Sequence, residues 1–360
     1  MILRLYKVFL TIIEIINLIL MIFTTLLNPL ASIIKPKTLK NVRNKTVLIT
    51  GAGFGIGRQL AIKFAELNAI TILWDRNENN LSETLRTIEL MGKKSGAFIV
   101  DVSSESDIAR AAKQVRESFG DVDILINNAG IAPCESFKEL SNQKVRETFE
   151  TNVLSHFWTV KQFLPAMEKN NSGHIVAISS SAGIMGSRYF TAYGATKHAV
   201  VGFMRCLCEE IDENSKIKLT TICPLGISGT GIDIPTKTRF PFLLPIMTLD
   251  YAIEKILDAI LKEEVFSILP PTFKWIHSIL SIFPDNIARS IWKCLEYEVV
   301  PNGIYAPIGR SHYYDRINRK ISQTQMTNGS ALHQNNHHHN HNHSNNHANQ
   351  QQAIKNSSKN

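Results

Sequence analysis

The chain has 360 residues, 44% of them hydrophobic, enough for one large α/β domain with appendages or for two domains. Its formal charge of +8 is unevenly placed: Arg4, Lys7, Lys35, Lys37, Lys40, Arg43 and Lys45 against Glu14 put +6 in the first 45 residues and leave +2 for the rest, which argues against a nucleic-acid footprint and for a membrane contact. Five cysteines (Cys134, Cys206, Cys208, Cys223 and Cys294) with no C-x-x-C spacing exclude a disulfide framework and point to free thiols in a reducing compartment.

Residues 1–36 read as a hydrophobic anchor. From Ile15 to Ile34, 20 residues carry no charge. As a helix that is about 30 Å, the depth of a bilayer core. Asn17, Asn28 and Pro29 interrupt the run, so a hairpin or an interfacial anchor fits as well as a single span. The run exceeds a secretory h-region of roughly 7–15 residues and no A-x-A cleavage site follows, which favours an anchor over a cleaved signal. Five Lys or Arg between Lys35 and Lys45 follow the run and two precede it. The positive-inside tendency then leaves the remainder cytosolic and sequons such as those at Asn44, Asn80, Asn170 and Asn356 idle.

Thr46 to Thr50 is a short β-branched run. It leads into Gly51-Ala-Gly-Phe-Gly-Ile-Gly57 and then into an apolar helical pattern. Strand, glycine turn and helix in that order is the context of a dinucleotide loop: glycines let the backbone approach a pyrophosphate, and the helix N-terminus offers free N–H groups. The next strand, Ala69 to Trp74, ends at Asp75, 18 residues past Gly57. A carboxylate there accepts hydrogen bonds from an adenosine ribose and repels a 2′-phosphate, so NAD is preferred. The adjacent Arg76 could instead pair with that phosphate, which keeps NADP open.

Helical and strand patterns then alternate: a helix over Leu81 to Met91, a strand over Gly96 to Val100 ending in Asp101-Val102, a helix over Ile108 to Phe119, and a strand over Val122 to Ile126 running into Asn127-Asn128-Ala129-Gly130. Repeated β-α-β units predict a doubly wound parallel sheet, an α/β Rossmann-type fold, with ligands beyond the carboxyl ends of the strands. Val145 to Met167 reads as one long helix containing Asn152. His174 to Ser180 reads as a buried strand, and Tyr189 to about Asp212 as a helix. Tyr193 and Lys197 lie four apart, on one face of that helix, about 6 Å between Cβ atoms. A Lys⁺ so placed favours the phenolate, and a tyrosine tuned that way works as a general acid or base near neutral pH. Ser180, 13 residues before Tyr193, can hydrogen-bond the oxygen being protonated.

A sixth strand, Ile217 to Cys223, precedes Pro224 to Thr230. Gly231 to Leu249 carries three prolines and an apolar cluster of Phe240, Phe242, Leu243, Leu244 and Ile246. That composition suits a lid over a lipophilic substrate or a connection packed on the core. Tyr251 to Leu261 is a predicted helix and Val265 to Leu269 a strand. Ile276, Ile279, Leu280, Phe283, Ile287 and Ile291 follow at largely helical spacing, which suits packing on the domain or a second membrane contact. Met326 to Asn360, rich in Asn, His, Gln and Ser, reads as a disordered tail, and no metal site is read. The predicted organisation is thus an anchor over 1–36, one catalytic domain over 37–310 and a tail over 326–360.

TGAGFGIG at Thr50 to Gly57, NNAG at Asn127 to Gly130, and Ser180, Tyr193 and Lys197 in this order and spacing resemble the short-chain dehydrogenase/reductase superfamily from about Thr46 to Thr230. The N-terminal apolar run, LWD at Leu73 to Asp75, GHIVAISSSAG and FPFLLP resemble its membrane-anchored branch of retinol and 17β-hydroxysteroid dehydrogenases. The resemblance implies that Tyr193 is the acid/base, Lys197 lowers its pKa and holds the nicotinamide ribose, Ser180 polarises the substrate oxygen and Asn152 anchors a relay water. It puts Gly51, Gly55 and Gly57 at the pyrophosphate, Asp75 at the adenosine ribose, Asp101 at the adenine and Asn128 between sheet and cofactor, with Ile56, Val102, Ala129, Gly130, Pro224, Ile227 and Thr230 completing the contacts. The family usually places a Thr five residues after Pro224; here Gly229 stands there and Thr230 follows. The expected function is hydride transfer between NAD and a lipophilic alcohol or carbonyl, by a homodimer at the endoplasmic reticulum membrane or a lipid droplet. The alternatives are an NADPH-dependent carbonyl reductase and a catalytically silent lipid-surface scaffold.

Overall fold

The computed structural model describes residues 6–7, 9–21, 38–231, 236–295 and 298–299. The chain divides into two units, Met1–Gly303 and Ile304–Asn360, and every described residue falls in the first. Residues 1–5, 8 and 22–36 of the predicted anchor and the whole predicted tail lie outside the described residues. Residues 9–21 are helical and exposed throughout. No helix among the described residues is long and apolar enough to cross a membrane.

Seven parallel strands form the centre: β1 (Thr46–Thr50), β2 (Ile70–Asp75), β3 (Ser95–Ile99), β4 (Ile124–Asn127), β5 (Gly173–Ile178), β6 (Ile217–Pro224) and β7 (Phe266–Leu269). Their order is β7-β6-β5-β4-β1-β2-β3. Helices α1 (Gly55–Glu66), α2 (Glu78–Leu90), α3 (Glu105–Phe119), α4 (Asn142–Phe149), α5 (Ser155–Lys169), α6 (Thr191–Glu210) and α7 (Leu249–Leu261) connect them. The strands are near-continuous apolar runs because both faces are covered. Alternation within β1 shows it: Val47 and Ile49 join Phe64 of α1, Ile88 of α2 and Ile256 of α7 on one face. Leu48 joins Ile108 of α3, Phe163 of α5 and Val200 of α6 on the other. The chain reverses direction across the sheet between β1 and β4, the switch point at which such sheets bind ligands.

Small polar residues set the helix starts. Asn77 and Ser104 accept from the amides of Asn80 and Asp107, starting α2 and α3 three residues earlier than apolar periodicity alone suggests. The expected long helix over Val145 to Met167 is instead two. A π turn, Glu150–Leu154, joins α4 to α5 and holds Asn152. The side chain of Asn152 bonds to neighbouring chain segments, and that pull accounts for the extra residue in the turn. The helix expected from Tyr189 starts at Thr191, because Tyr189 sits at φ +65°, in the left-handed region that no right-handed helix accepts.

Candidate active site

The carboxyl ends of six strands bring the predicted residues to one edge. Thr50, at the end of β1, is buried, and its hydroxyl accepts from the amides of Asn128 (3.0 Å) and Ala129 (3.1 Å). Asn128 Nδ2 donates to Thr50 O at 2.9 Å and Gly51 O at 3.3 Å. These bonds lock the glycine loop after β1 to the NNAG segment after β4. The loop has no room for side chains: a Cβ built at Gly57 would collide with the Gly51 carbonyl and lie 2.6 Å from Asn128 Nδ2. One at Gly55 would collide with the Thr230 carbonyl. Gly229 takes φ +80° and turns the chain so that Thr230 lies over the loop.

Asp75, half-buried at the end of β2, accepts from Gly53 N at 2.9 Å and Asn77 N at 2.8 Å, one bond per oxygen. Arg76 beside it is exposed. Asp101 accepts from Ser103 N and Oγ on Oδ1. Val102, Ile56 and Pro224 bury their side chains or pack on the core, so their main chain is what the edge presents. Ile227 lies in a two-residue strand paired with Met247–Thr248.

Lys197 is buried on α6, and its Nζ donates to Ile178 O at 2.9 Å. Burial pushes its pKa down to about 8, while the neighbouring Cys223 pulls the other way. Its Nζ stands 5.6 Å from the ring centroid of the half-buried Tyr193, which also packs on Phe190 at 4.9 Å. A Cβ built at Gly130 would lie 3.6 Å from Lys197 Nζ and 3.3 Å from Asn152 Oδ1. The Lys197 ammonium thus has one acceptor among the described residues and adjoins a glycine without a side chain. The diol of a nicotinamide ribose supplies the acceptors that a buried ammonium lacks. The residues present fit the dinucleotide.

Asn152 is fully buried. Its Oδ1 accepts from Ile131 N at 2.9 Å, and its Nδ2 donates to Ile131 O at 2.8 Å and Thr196 Oγ1 at 3.1 Å. Thr196 Oγ1 in turn donates to Tyr193 O at 2.7 Å. The amide is therefore committed to protein partners. Of three consecutive serines, Ser179 is buried and donates to Lys197 O at 3.0 Å. Ser180 is half-buried, and its Oγ accepts from Ala182 N at 3.1 Å. Thr50, Ser179 and Thr196 escape sequence reading. The only signals for them are the last position of a strand, one serine among equals, and a hydroxyl between Tyr193 and Lys197.

The expected lid divides. Leu244 and Met247 are buried in the core, whereas Phe242 is exposed; residues 232–235 lie outside the described residues.

The short chain dehydrogenase family model matches residues 45–239. Short-chain dehydrogenase/reductase family 16C member 6 of Bos taurus is 46% identical over 238 residues, 65% of this chain and 75% of its own length. Human epidermal retinol dehydrogenase 2 is 39% identical over 263 residues, 72% of this chain and 85% of that one. Human estradiol 17-beta-dehydrogenase 11 is 38% identical over 253 residues, 70% and 83%. A short-chain dehydrogenase/reductase from Burkholderia phymatum in complex with NAD shares the fold at a TM-score of 0.61 and 24% identity, over 73% of this chain and 99% of that chain. A metagenomic short-chain oxidoreductase in complex with NADP does so at 0.54 and 24%, over 64% and 97%. The chain belongs to the short-chain dehydrogenase family and is an NAD(P)-dependent oxidoreductase acting on CH–OH groups.

Proposed function

We propose that the chain oxidises a lipophilic alcohol of the retinoid, steroid or long-chain class with NAD⁺, as a homodimer at an endoplasmic reticulum or lipid-droplet surface, with its catalytic domain facing the cytosol. The buried Lys197 ammonium beside the Tyr193 ring carries this reading. A cation there stabilises the phenolate, so Tyr193 would take the alcohol proton near neutral pH. Ser180 would hold the substrate oxygen, and Lys197 the ribose. Gly51, Gly55, Gly57 and Gly130 would admit the backbone to the dinucleotide, with Asp75 on the adenosine ribose and Asp101 near the adenine. The bound nicotinamide supplies the hydride acceptor. The retinol and estradiol dehydrogenase names of the relatives support the lipophilic class. The exposed apolar residues 9–21 support the membrane surface. Leu154 and Phe157, both exposed, offer an apolar face for a second copy.

The test is turnover of the full chain in detergent, with NAD⁺ and NADP⁺ compared on retinol, steroid alcohols and long-chain alcohols. NAD⁺-dependent oxidation of one class is expected; no turnover in either direction despite dinucleotide binding would reject the reading in favour of a silent scaffold.

Asp75→Asn should raise the NADP⁺/NAD⁺ ratio of kcat/KM on the order of ten-fold, because losing the charge removes at least ~1.4 kcal/mol of repulsion from a 2′-phosphate. An unchanged ratio would mean that Asp75 does not face the ribose. Thr196→Val keeps the shape but leaves Asn152 Nδ2 short of one buried acceptor. It should lower kcat roughly ten-fold with little change in KM and cost about 1–3 kcal/mol of stability, and Thr196→Ser should restore both. A fall in stability with kcat intact would confine Thr196 to a packing role.

A further inference from the structure

We infer that α8 (Pro271–Leu280), α9 (Asp285–Leu295) and the turn between them form a second docking face, for an anionic membrane surface, independent of the N-terminal run. The sequence splits α8 into two sides. Phe273 and Leu280 are buried in the core, whereas Trp275 is 71% exposed and Ile279 is exposed with it. The turn after α8 presents Ile282, 82% exposed, and Phe283. α9 then buries no residue: only Trp292 and Leu295 lean on the core, Trp292 at 5.9 Å from Phe273, while Ile287 and Ile291 stay open. Six large apolar side chains thus stand exposed within 17 consecutive positions, Trp275 to Ile291. Scattered surface apolar residues need no explanation, but a grouped set of this kind does.

Charge selects the occupant. Lys274, Arg289 and Lys293 against Asp285 leave +2 over 271–295. Apolar tips flanked by long cationic side chains match a lipid interface, where the tips enter the acyl boundary and the cations reach the headgroups.

The fold also puts the face beside the site. Leu269, which ends β7, stands in register with Pro224, which ends β6. α8 begins two residues later, and the exposed Phe242 lies on the connection that follows β6. The face therefore grows from the sheet edge that carries Tyr193, and resting on the proposed substrate class, it would pass a lipophilic alcohol from the bilayer into the crevice.

The experiment uses the full chain on vesicles of phosphatidylcholine and phosphatidylserine. Brominated acyl chains should quench tryptophan emission, and Trp275→Phe should lose at least half of that quenching, since Trp74 is buried and Trp158 and Trp292 are half-buried. Equal quenching in wild type and Trp275→Phe would overturn the proposal. Ile282→Asp/Phe283→Asp alters only exposed positions, so it should keep its turnover in detergent while its KM for vesicle-borne alcohol rises about ten-fold. An unchanged vesicle KM, or a changed sedimentation coefficient with no quenching, would overturn it too, the latter by assigning the face to a second copy. Binding should weaken without phosphatidylserine, and equal binding would remove the anionic requirement. Failure of detergent turnover itself would count against the proposed reaction, not against the docking face, which the quenching reads directly.

Discussion

Tyr193→Phe should lower turnover by about 10²–10⁴-fold while leaving dinucleotide affinity within about three-fold. The change is local. The substitution removes one oxygen and leaves the ring, which packs on Phe190 at 4.9 Å and lies beneath Lys197 Nζ at 5.6 Å. The supports of Lys197, its bond to Ile178 O and the bond from Ser179 to its carbonyl, do not involve the phenol. What is lost is the hydroxyl that the proposed reaction uses to exchange a proton with the substrate. Fluorescence titration with NADH and single-turnover hydride transfer separate the two effects. Turnover above about a tenth of wild type would move the acid/base role to another group, and a matching loss of NADH affinity would make Tyr193 a structural residue.

Much of this arrangement was legible in the chain because it rests on local chemistry. The run Thr46 to Thr50, the glycines after it and the apolar helix beyond determine one another, and the repeated β-α-β units foretell the parallel sheet. The spacing of Tyr193 and Lys197 needs only a helix to become a pair. What was not legible depends on tertiary contact. Asn152 looks like an ordinary helix residue until Ile131, 21 positions earlier, takes both ends of its amide and a π turn results. Tyr189 carries no sign of its φ of +65°, so periodicity alone puts the start of α6 two residues early. Ser179, Ser180 and Ser181 are chemically alike in sequence, and only the approach of α6 assigns one of them to the Lys197 carbonyl. Thr230 stands one place beyond the family's usual position, and the φ of +80° at Gly229 before it is a backbone property that composition does not report.

Gly57→Ala should weaken dinucleotide binding by at least about 100-fold, roughly 2.7 kcal/mol, the other large effect the geometry implies. A methyl at this position meets the Gly51 carbonyl and stands 2.6 Å from Asn128 Nδ2. Neither is a flexible tip. The carbonyl is backbone, and Nδ2 is held by Thr50 O and Gly51 O. Relief therefore requires the glycine loop to move off the start of α1, the spot where free N–H groups would meet the pyrophosphate. The same movement breaks the Asn128 bonds, so the melting temperature should fall as well, with about 1–3 kcal/mol for each buried donor left unpaired. Stability loss alone could mimic lost binding, and Gly92→Ala is the control. Gly92 sits at φ +69° with nothing within 4 Å of a built Cβ, so alanine there strains the backbone without touching the loop. Calorimetric titration with NADH at a temperature where both variants are folded distinguishes them. A large affinity loss confined to Gly57→Ala places the pyrophosphate against this turn; equal affinities would mean that the dinucleotide binds elsewhere on the sheet edge.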